Sequence, residues 1–385
     1  MEESKKKPTG NDRIRKKSGR ATDFAELVWP GKYDSDGKLR LSKVYHSDLS
    51  LVHTETVALS NLGNSPVAGK SIRKRQNGPE PECNLIIEGD NCLAMSALMP
   101  THKGKISLIY LDPPFDVGAD QSRKIELDRS DSDSAEAKYI STPAYSDRWP
   151  RADYLSMIYD RIALSHQLLS ENGSLFVHCD WRASASIRML LAEIFGEDKF
   201  RNEIIWRYRR WTAASRFYQR MHDSIFWYSK SDQYVFNPQY EPFSEKTSIA
   251  RYKRKVSGGR SVQDKTRPME RDPEQGVLMH DVWDIPYIHP TAKERSGYAT
   301  QKPEELLERI IKGHSNKTDI VADVFAGSGT TAVVAERLGR RWIACDSQPE
   351  AIQIGRKRMI QVRQQLALAG TDLRPFKIHK VSDST

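Results

Sequence analysis

Residues 319–339 read DIVADVFAGSGTTAVVAERLG. The short apolar run ending on Asp323 has the character of a strand buried on both faces of a parallel sheet. Gly327 and Gly329 remove side chains where the chain must turn tightly and where a ligand can approach the backbone. From Thr330 the apolar spacing becomes helical. Asp346 closes the next strand, RRWIACD (residues 340–346), 23 residues after Asp323. In such strand–turn–helix units an acid at roughly 20 residues on accepts hydrogen bonds from ribose hydroxyls. The dinucleotide fingerprint is only partly present, with Ala332 at the third glycine, and the phosphate-loop lysine is missing. On this pattern alone, an adenosine-ligand site and a tight turn of any α/β protein both stand.

The same rhythm extends on both sides. NLIIEGD (84–90) predicts a strand, NCLAMSALM (91–99) a helix and ISLIYL (106–111) a fully buried strand. DYLSMIYDRIALSHQLLS (153–170) predicts an amphipathic helix and NGSLFVHCD (172–180) a turn and strand. ASIRMLLAEIFG (185–196) reads as a helix, and NEIIWRY (202–208) and DSIFWYSKS (223–231) as strands. PEELLERIIKGHS (303–315) starts a helix at Pro303, and PEAIQIGRKRMIQVRQQLALAG (349–370) is a long closing helix. Alternating strands and helices predict an α/β, Rossmann-like fold, with a doubly wound, mixed or mostly parallel sheet. The expected organisation is a basic, disordered tail over 1–20, an extension over 21–83, one half-domain over 84–237, a basic insertion over 238–297, the second half-domain over 298–370 and a tail over 371–385.

Composition narrows the class. The chain of 385 residues has 38% hydrophobic and 29% charged residues and no apolar run near the ~18 residues a membrane span needs. No apolar core follows the charged start, so no secretory signal is expected. Cys83, Cys92, Cys179 and Cys345 lie far apart, without a C-x-x-C pair. That spacing predicts buried thiols in a reducing cytoplasm rather than a metal site or disulfide framework. Net charge is +9, of which residues 1–20 carry +5 (eight Lys/Arg against three acids). A basic balance favours polyanions, nucleic acid first among them. His178, His222 and His314 are scattered and read as structural or surface residues.

One stretch fits no ordinary strand ending. In IYLDPPFDVG (109–118) an apolar run stops on Asp112, then Pro113, Pro114 and Phe115. Proline cannot donate to a sheet ladder, so the strand ends here, and two prolines hold the following carbonyls rigidly.

DPPF followed downstream by FAGSGTT resembles the amino-methyltransferases that use S-adenosylmethionine. The permuted order, with the tetrapeptide first and the glycine loop second, resembles the β-class DNA adenine-N6 methyltransferases. IIEGDNCLAMSAL, MIYDRIALSHQLLSENGSLFV, NEIIWRYRR, HDSIFWYSK, YATQKPEELLERII and RRWIACDSQPEAIQIGRKR are similar to the flanks of those motifs, over residues 84–235 and 298–365. Several of these segments are also similar to modification subunits of type III restriction systems, which are usually longer.

The resemblance implies transfer of a methyl group from S-adenosylmethionine to the N6 of an adenine flipped out of double-stranded DNA. Asp112 and the Pro113 carbonyl would accept the two amino hydrogens, with Pro114 fixing the segment and Phe115 stacking on the base. Asp323, Phe325, Gly327, Ser328, Gly329, Thr330 and Thr331 would line the methionine part of the cofactor, Asp346 would hold the ribose, and Asp90 and Lys302 would contact its ends. No metal is required. The basic, aromatic stretch Trp206–Arg220 supplies Arg207, Arg209, Arg210, Arg216 and Arg220 for DNA. The stretch Arg251–Pro268, with Lys253, Arg254, Lys255 and Arg260, stands where a small target-recognition element is expected. The acidic loop Asp128–Glu136 would repel DNA. A homodimer and a restriction or translocase partner are both compatible with the resemblance. Cytosine-N4 methylation, RNA adenosine-N6 methylation, a non-catalytic DNA-binding subunit and a nicotinamide-dependent oxidoreductase are the competing readings. Asp112 favours adenine over cytosine, because related cytosine enzymes tend to start the tetrapeptide with Ser.

Overall fold

The computed structural model describes residues 25–40, 49–58, 83–114, 150–209, 216–242, 276–371 and 373–382, and the backbone of 121–126 and 139–145. The strands are β1 (Ser50–Val57), β2 (Asn84–Glu88), β3 (Ile106–Leu111), β4 (Gln121–Glu126), β5 (Tyr139–Tyr145), β6 (Leu169–Cys179), β7 (Phe200–Arg207), β8 (His222–Ser229), β9 (Tyr240–Glu241), β10 (Val277–Leu278), β11 (Val282–Asp284), β12 (Ile320–Asp323), β13 (Arg341–Asp346) and β14 (Phe376–Ser382). The helices are α1 (Asn91–His102), α2 (Arg151–Leu168), α3 (Ser184–Phe195), α4 (Glu304–His314), α5 (Thr330–Arg337) and α6 (Pro349–Leu368).

Ten strands form one sheet in the order β1-β14-β2-β13-β12-β3-β6-β8-β7-β11. The run from β14 to β6 is parallel, and β8 is antiparallel to both β6 and β7. The continuous apolar runs of β3, β12 and β13 are explained by helices on both faces. Ile109 and Leu111 pack with α1, α2 and α3 in one core. Leu108 and Tyr110 pack with α4, α5 and α6 in the other. Period-two alternation therefore decides which half of the protein each β3 side chain meets.

Helices of the first half cover one face and helices of the second half the other. The change of face falls between the neighbours β3 and β12, where Asp323 pairs with Tyr110. Chains leaving the carboxyl ends of these two strands diverge, which opens a crevice at the sheet edge. Asp90, Asp112, Asp323 and Asp346 all sit at the ends of strands there.

Three boundaries expected from sequence change. The 371–385 tail contains β14, an interior strand whose Phe376 and Ile378 are buried beside β2. The 21–83 extension contributes β1 to the same sheet. It also contributes Trp29 and Lys32, which pack on α2 and α3: the buried Lys32 ammonium bonds to Glu193 (2.8 Å) and lies 4.9 Å from the centre of the Trp29 ring. Within 238–297, β11 is a parallel edge strand of the main sheet rather than part of an insertion. Short segments such as these carry too few apolar residues to announce burial from sequence; partners distant in the chain supply it.

Candidate functional site

A cavity of about 750 Å³ opens at the sheet edge. Asp90, Asp112, Pro113, Pro114, Lys302, Asp323, Phe325, Gly327, Ser328, Thr330, Thr331, Asp346 and Arg220 all line it. Residues from the two ends of the sequence thus meet in one place. Gly329, between Ser328 and Thr330, is not among the lining residues. Phe115, Arg210, Lys253, Arg254, Lys255, Arg260 and the acidic loop Asp128–Glu136 lie outside the described residues.

The glycine turn is built by local chemistry. Gly327 and Gly329 both adopt positive φ (49° and 75°), where a side chain is strained. A Cβ on Gly327 would come within 2.9 Å of the Tyr298 ring, and one on Gly329 within 3.2 Å of the Gly355 backbone in α6. Asp346 closes the turn from below: one carboxylate oxygen accepts from the Gly327 N–H (2.8 Å), the other from the Gln348 N–H (2.9 Å). Asp323 accepts from the Phe325 N–H (3.0 Å) and the Thr331 hydroxyl. Burial pushes the Asp323 carboxyl up to about 7 against these hydrogen bonds, with Asp112 and Asp346 adding to the rise. Asp346 is raised as well, by burial.

Arg358 of α6 holds the loop from beneath. Its guanidinium donates to the Ser328 carbonyl (3.0 Å), the Ser328 hydroxyl (3.0 Å), the Thr330 hydroxyl (2.9 Å) and Glu304 (2.8 Å). The fork of an arginine suits this four-way contact. Nothing in the sequence flagged Arg358; one arginine in a basic helix carries no local signal.

Asp112 sits one residue past β3, on the parity of Leu108 and Tyr110 and hence toward α4. Lys302, just before α4, forms an ion pair with one Asp112 oxygen. The other oxygen, Oδ1, is buried and accepts no hydrogen bond among the described residues. It lies 3.8 Å from His178 Nδ1. The Lys302 ammonium rests on Asp112 and also lines the cavity where the end of a cofactor is expected.

His178, expected as a structural or surface residue, is fully buried in a hydrogen-bonded network beside Asp112. Its Nε2 is 3.2 Å from Asp223 Oδ2, and the Tyr208 hydroxyl donates to the other Asp223 oxygen (2.9 Å). Burial raises the Asp223 carboxyl, but the His178 contact, Lys302 and Tyr208 outweigh it and the net direction is down. An ionised carboxylate only accepts, so Nε2 carries a hydrogen, and Nδ1 lies 2.7 Å from the Tyr110 hydroxyl. Trp206 closes over the imidazole edge-on. The network is invisible in sequence because its members come from β3, β6, β7 and β8. His314 does fill a core position, packed on Phe176 and Trp227, and burial lowers it to about 4.

The remaining expectations separate. Asp90 caps α1, accepting from the Cys92 (2.8 Å) and Leu93 (3.1 Å) N–H groups, and pairs with Arg161 (3.1 Å) at the cavity wall. Arg207 is tied to Asp284 in an exposed ion pair away from the cavity. Arg209 and Arg216 are exposed and outside the cavity lining. Of the four described arginines expected to touch DNA, Arg220 lines the cavity, as do Arg161, Arg182 and Arg295. Among the described residues, no group of three or more His, Cys, Asp and Glu side chains is arranged to hold a metal.

Six Asp side chains and five Lys or Arg side chains line the crevice, so it suits a ligand carrying both charges, and the glycine turn with Asp346 in ribose register suits a nucleoside part.

Comparison with known proteins gives concordant matches. The sequence model described as "DNA methylase" matches residues 106–357. The chain is 28% identical over 280 residues to the DNA adenine methyltransferase YhdJ of Escherichia coli strain K12, covering 72% of this chain and 83% of that one. It is 27% identical over 267 residues to the type II methyltransferase M.HpaI of Haemophilus parainfluenzae (69% and 72% covered). It is 27% identical over 244 residues to the probable type III HindVI Mod subunit of Haemophilus influenzae, covering 62% of this chain but 29% of that subunit.

Proposed function

The chain belongs to the DNA methylase family, and from that membership we propose that it transfers a methyl group from S-adenosylmethionine to the N6 of adenine in double-stranded DNA. The observation that carries the reading is Asp112. Its carboxylate ends a buried strand at the switch point of the sheet, with one oxygen fixed by Lys302 and the other buried without a hydrogen-bond donor among the described residues. A buried acceptor lacking a donor is rare and calls for an explanation, of which a catalytic role is one.

The exocyclic amine of adenine is a weak nucleophile because its lone pair is delocalised into the ring. Asp112 accepts one amino hydrogen and the Pro113 carbonyl the other, which turns the nitrogen lone pair outward. Pro113 and Pro114 lack N–H groups and hold φ, so the carbonyl is presented without competition from a local backbone donor. Lys302 and the His178–Asp223 pair keep the carboxylate in place. The cofactor supplies an electrophilic methyl on sulfonium. With the amine held in line with that methyl, its lone pair would displace the sulfur as a neutral thioether and the surplus proton would pass to Asp112 and on to solvent, so proximity, alignment and fixed charge would carry the acceleration. Asp346 would hold the ribose; Asp323, Phe325, Gly327, Ser328, Gly329, Thr330 and Thr331 would line the methionine part, with Asp90 at the cavity wall. A target base must leave the duplex to reach this depth.

Asp112 rather than Ser at the head of the tetrapeptide favours adenine over cytosine, and the similarity to YhdJ points the same way. The test is incubation with unmethylated duplex DNA and labelled S-adenosylmethionine, then mass analysis of the digested nucleosides. N6-methyladenine supports the reading; N4-methylcytosine, or label transfer only to RNA, overturns it.

A further inference from the structure

Trp29, Trp206, Trp227, Trp283 and Trp342 are all buried, whereas Trp181 is 50% exposed. Its position explains why. The chain turns between the end of β6 and the start of α3, and Asp180 fixes that turn by accepting from the Arg182 N–H (2.9 Å) and pairing with the Arg182 guanidinium. Trp181 projects from the turn and lines the same cavity as Asp112 and Gly327. The Arg220 guanidinium lies 4.0 Å from the Trp181 ring centre and 4.7 Å from the Phe217 ring centre, and Arg182 lies 5.7 Å from Trp181. Phe217 and Tyr218 are 59% and 98% exposed.

The cavity mouth therefore carries flat aromatic surface interleaved with arginines. An exposed aromatic cluster rimmed by charge marks a binding surface. Rings stacked with guanidinium groups suit a ligand that is itself flat and aromatic and carries negative charge alongside, which describes a nucleobase on its phosphate backbone. The geometry points to Trp181 and Arg220 as a stacking platform that receives a base of the substrate DNA at the cavity mouth, beside the base delivered to Asp112. This deepens the methyltransferase reading and rests on it. Trp181 touches DNA here, not the reacting atoms, so its removal acts on DNA use and leaves the cofactor side alone.

Wild-type protein, Trp181→Ala and Trp181→Phe are compared on unmethylated bacterial genomic DNA. Loss of one base–aromatic stack lowers kcat/KM for DNA by about 10- to 100-fold in Trp181→Ala. Trp181→Phe stays close to wild type, and S-adenosylmethionine affinity by calorimetry is the same in all three. The proposal is overturned if Trp181→Ala methylates like wild type, if Trp181→Phe falls as far as Trp181→Ala, or if cofactor affinity falls in parallel. A second measurement does not depend on Trp181→Ala folding. Duplex DNA quenches tryptophan fluorescence of the wild type, and most of that quench is absent in Trp181→Phe; an undiminished quench overturns the platform. Absence of label transfer by the wild type would instead count against the methyltransferase reading, and the quench would still report on Trp181.

Discussion

The ammonium of Lys302 rests on the carboxylate of Asp112, 190 residues earlier in the chain. One side chain comes from the lead-in to α4 and the other from the end of β3, so the contact joins the two halves of the domain at the point where the covering helices change face. The contact gives Lys302 two candidate roles, orienting the Asp112 carboxylate and holding an end of the cofactor.

Lys302→Met separates these roles. The expected result is a fall in kcat of roughly 100-fold, the scale of losing one oriented charge at a reacting centre. The dissociation constant for S-adenosylmethionine stays near its wild-type value in calorimetry. A large rise in that constant with little change in kcat would return Lys302 to the cofactor.

Asp112→Asn keeps the shape of the side chain and removes its charge. Methyl transfer to duplex DNA is expected to be lost, while cofactor binding by calorimetry remains. Retained transfer would remove Asp112 from the mechanism.

Asp223→Ala removes the carboxylate that contacts His178 Nε2 and accepts from the Tyr208 hydroxyl. Urea unfolding is expected to show a loss of about 2 kcal/mol, the usual cost of orphaning buried polar groups. A fall in kcat should accompany it, with the cofactor dissociation constant unchanged, because the network touches Asp112 and not the glycine turn.

Arg358→Met removes the tie between Ser328, Thr330 and Glu304 and leaves Glu304 facing a largely buried, uncharged neighbour. Cofactor affinity is expected to drop by about tenfold, equivalent to one lost positioning contact, and thermal stability to fall with it. Unchanged calorimetric affinity would show that the turn holds its shape without Arg358.

Asp323 gives a pH signature. Burial raises its carboxyl from the ordinary 3.8 to about 7, so the folded protein holds this proton longer than the unfolded chain does. The associated stability is present in full below the unfolded value and is lost as pH rises toward 7. Asp323→Asn does not titrate. The difference in unfolding free energy between wild type and Asp323→Asn should therefore move against the wild type from about pH 4 to about pH 7, then level off. A pH-independent difference would mean that Asp323 is ionised throughout.

Much of the fold was readable from local pattern. The turn around Gly327 and Gly329 had to be glycine because its backbone adopts positive φ against close neighbours, and that need shows in the residues themselves. The buried runs of β3, β12 and β13 required helices on both faces. What escaped was everything assembled across strands. His178 and Asp223 lie 45 residues apart, on neighbouring antiparallel strands. Arg358 and Trp181 carry no local mark, and β14 reads as a tail in sequence because a single short strand is buried through its pairing with β1 and β2.

The sequence by itself determined the order of elements, the α/β class and the two motifs, because periodicity, glycine conformation and proline geometry act over a few residues. Only the tertiary structure decided which groups face Asp112. Alternation along β3 turns that carboxylate toward α4, and strand order brings Lys302 and His178 to it. Contacts between residues far apart in the chain depend on which strands become neighbours, and no local run of residues encodes that choice.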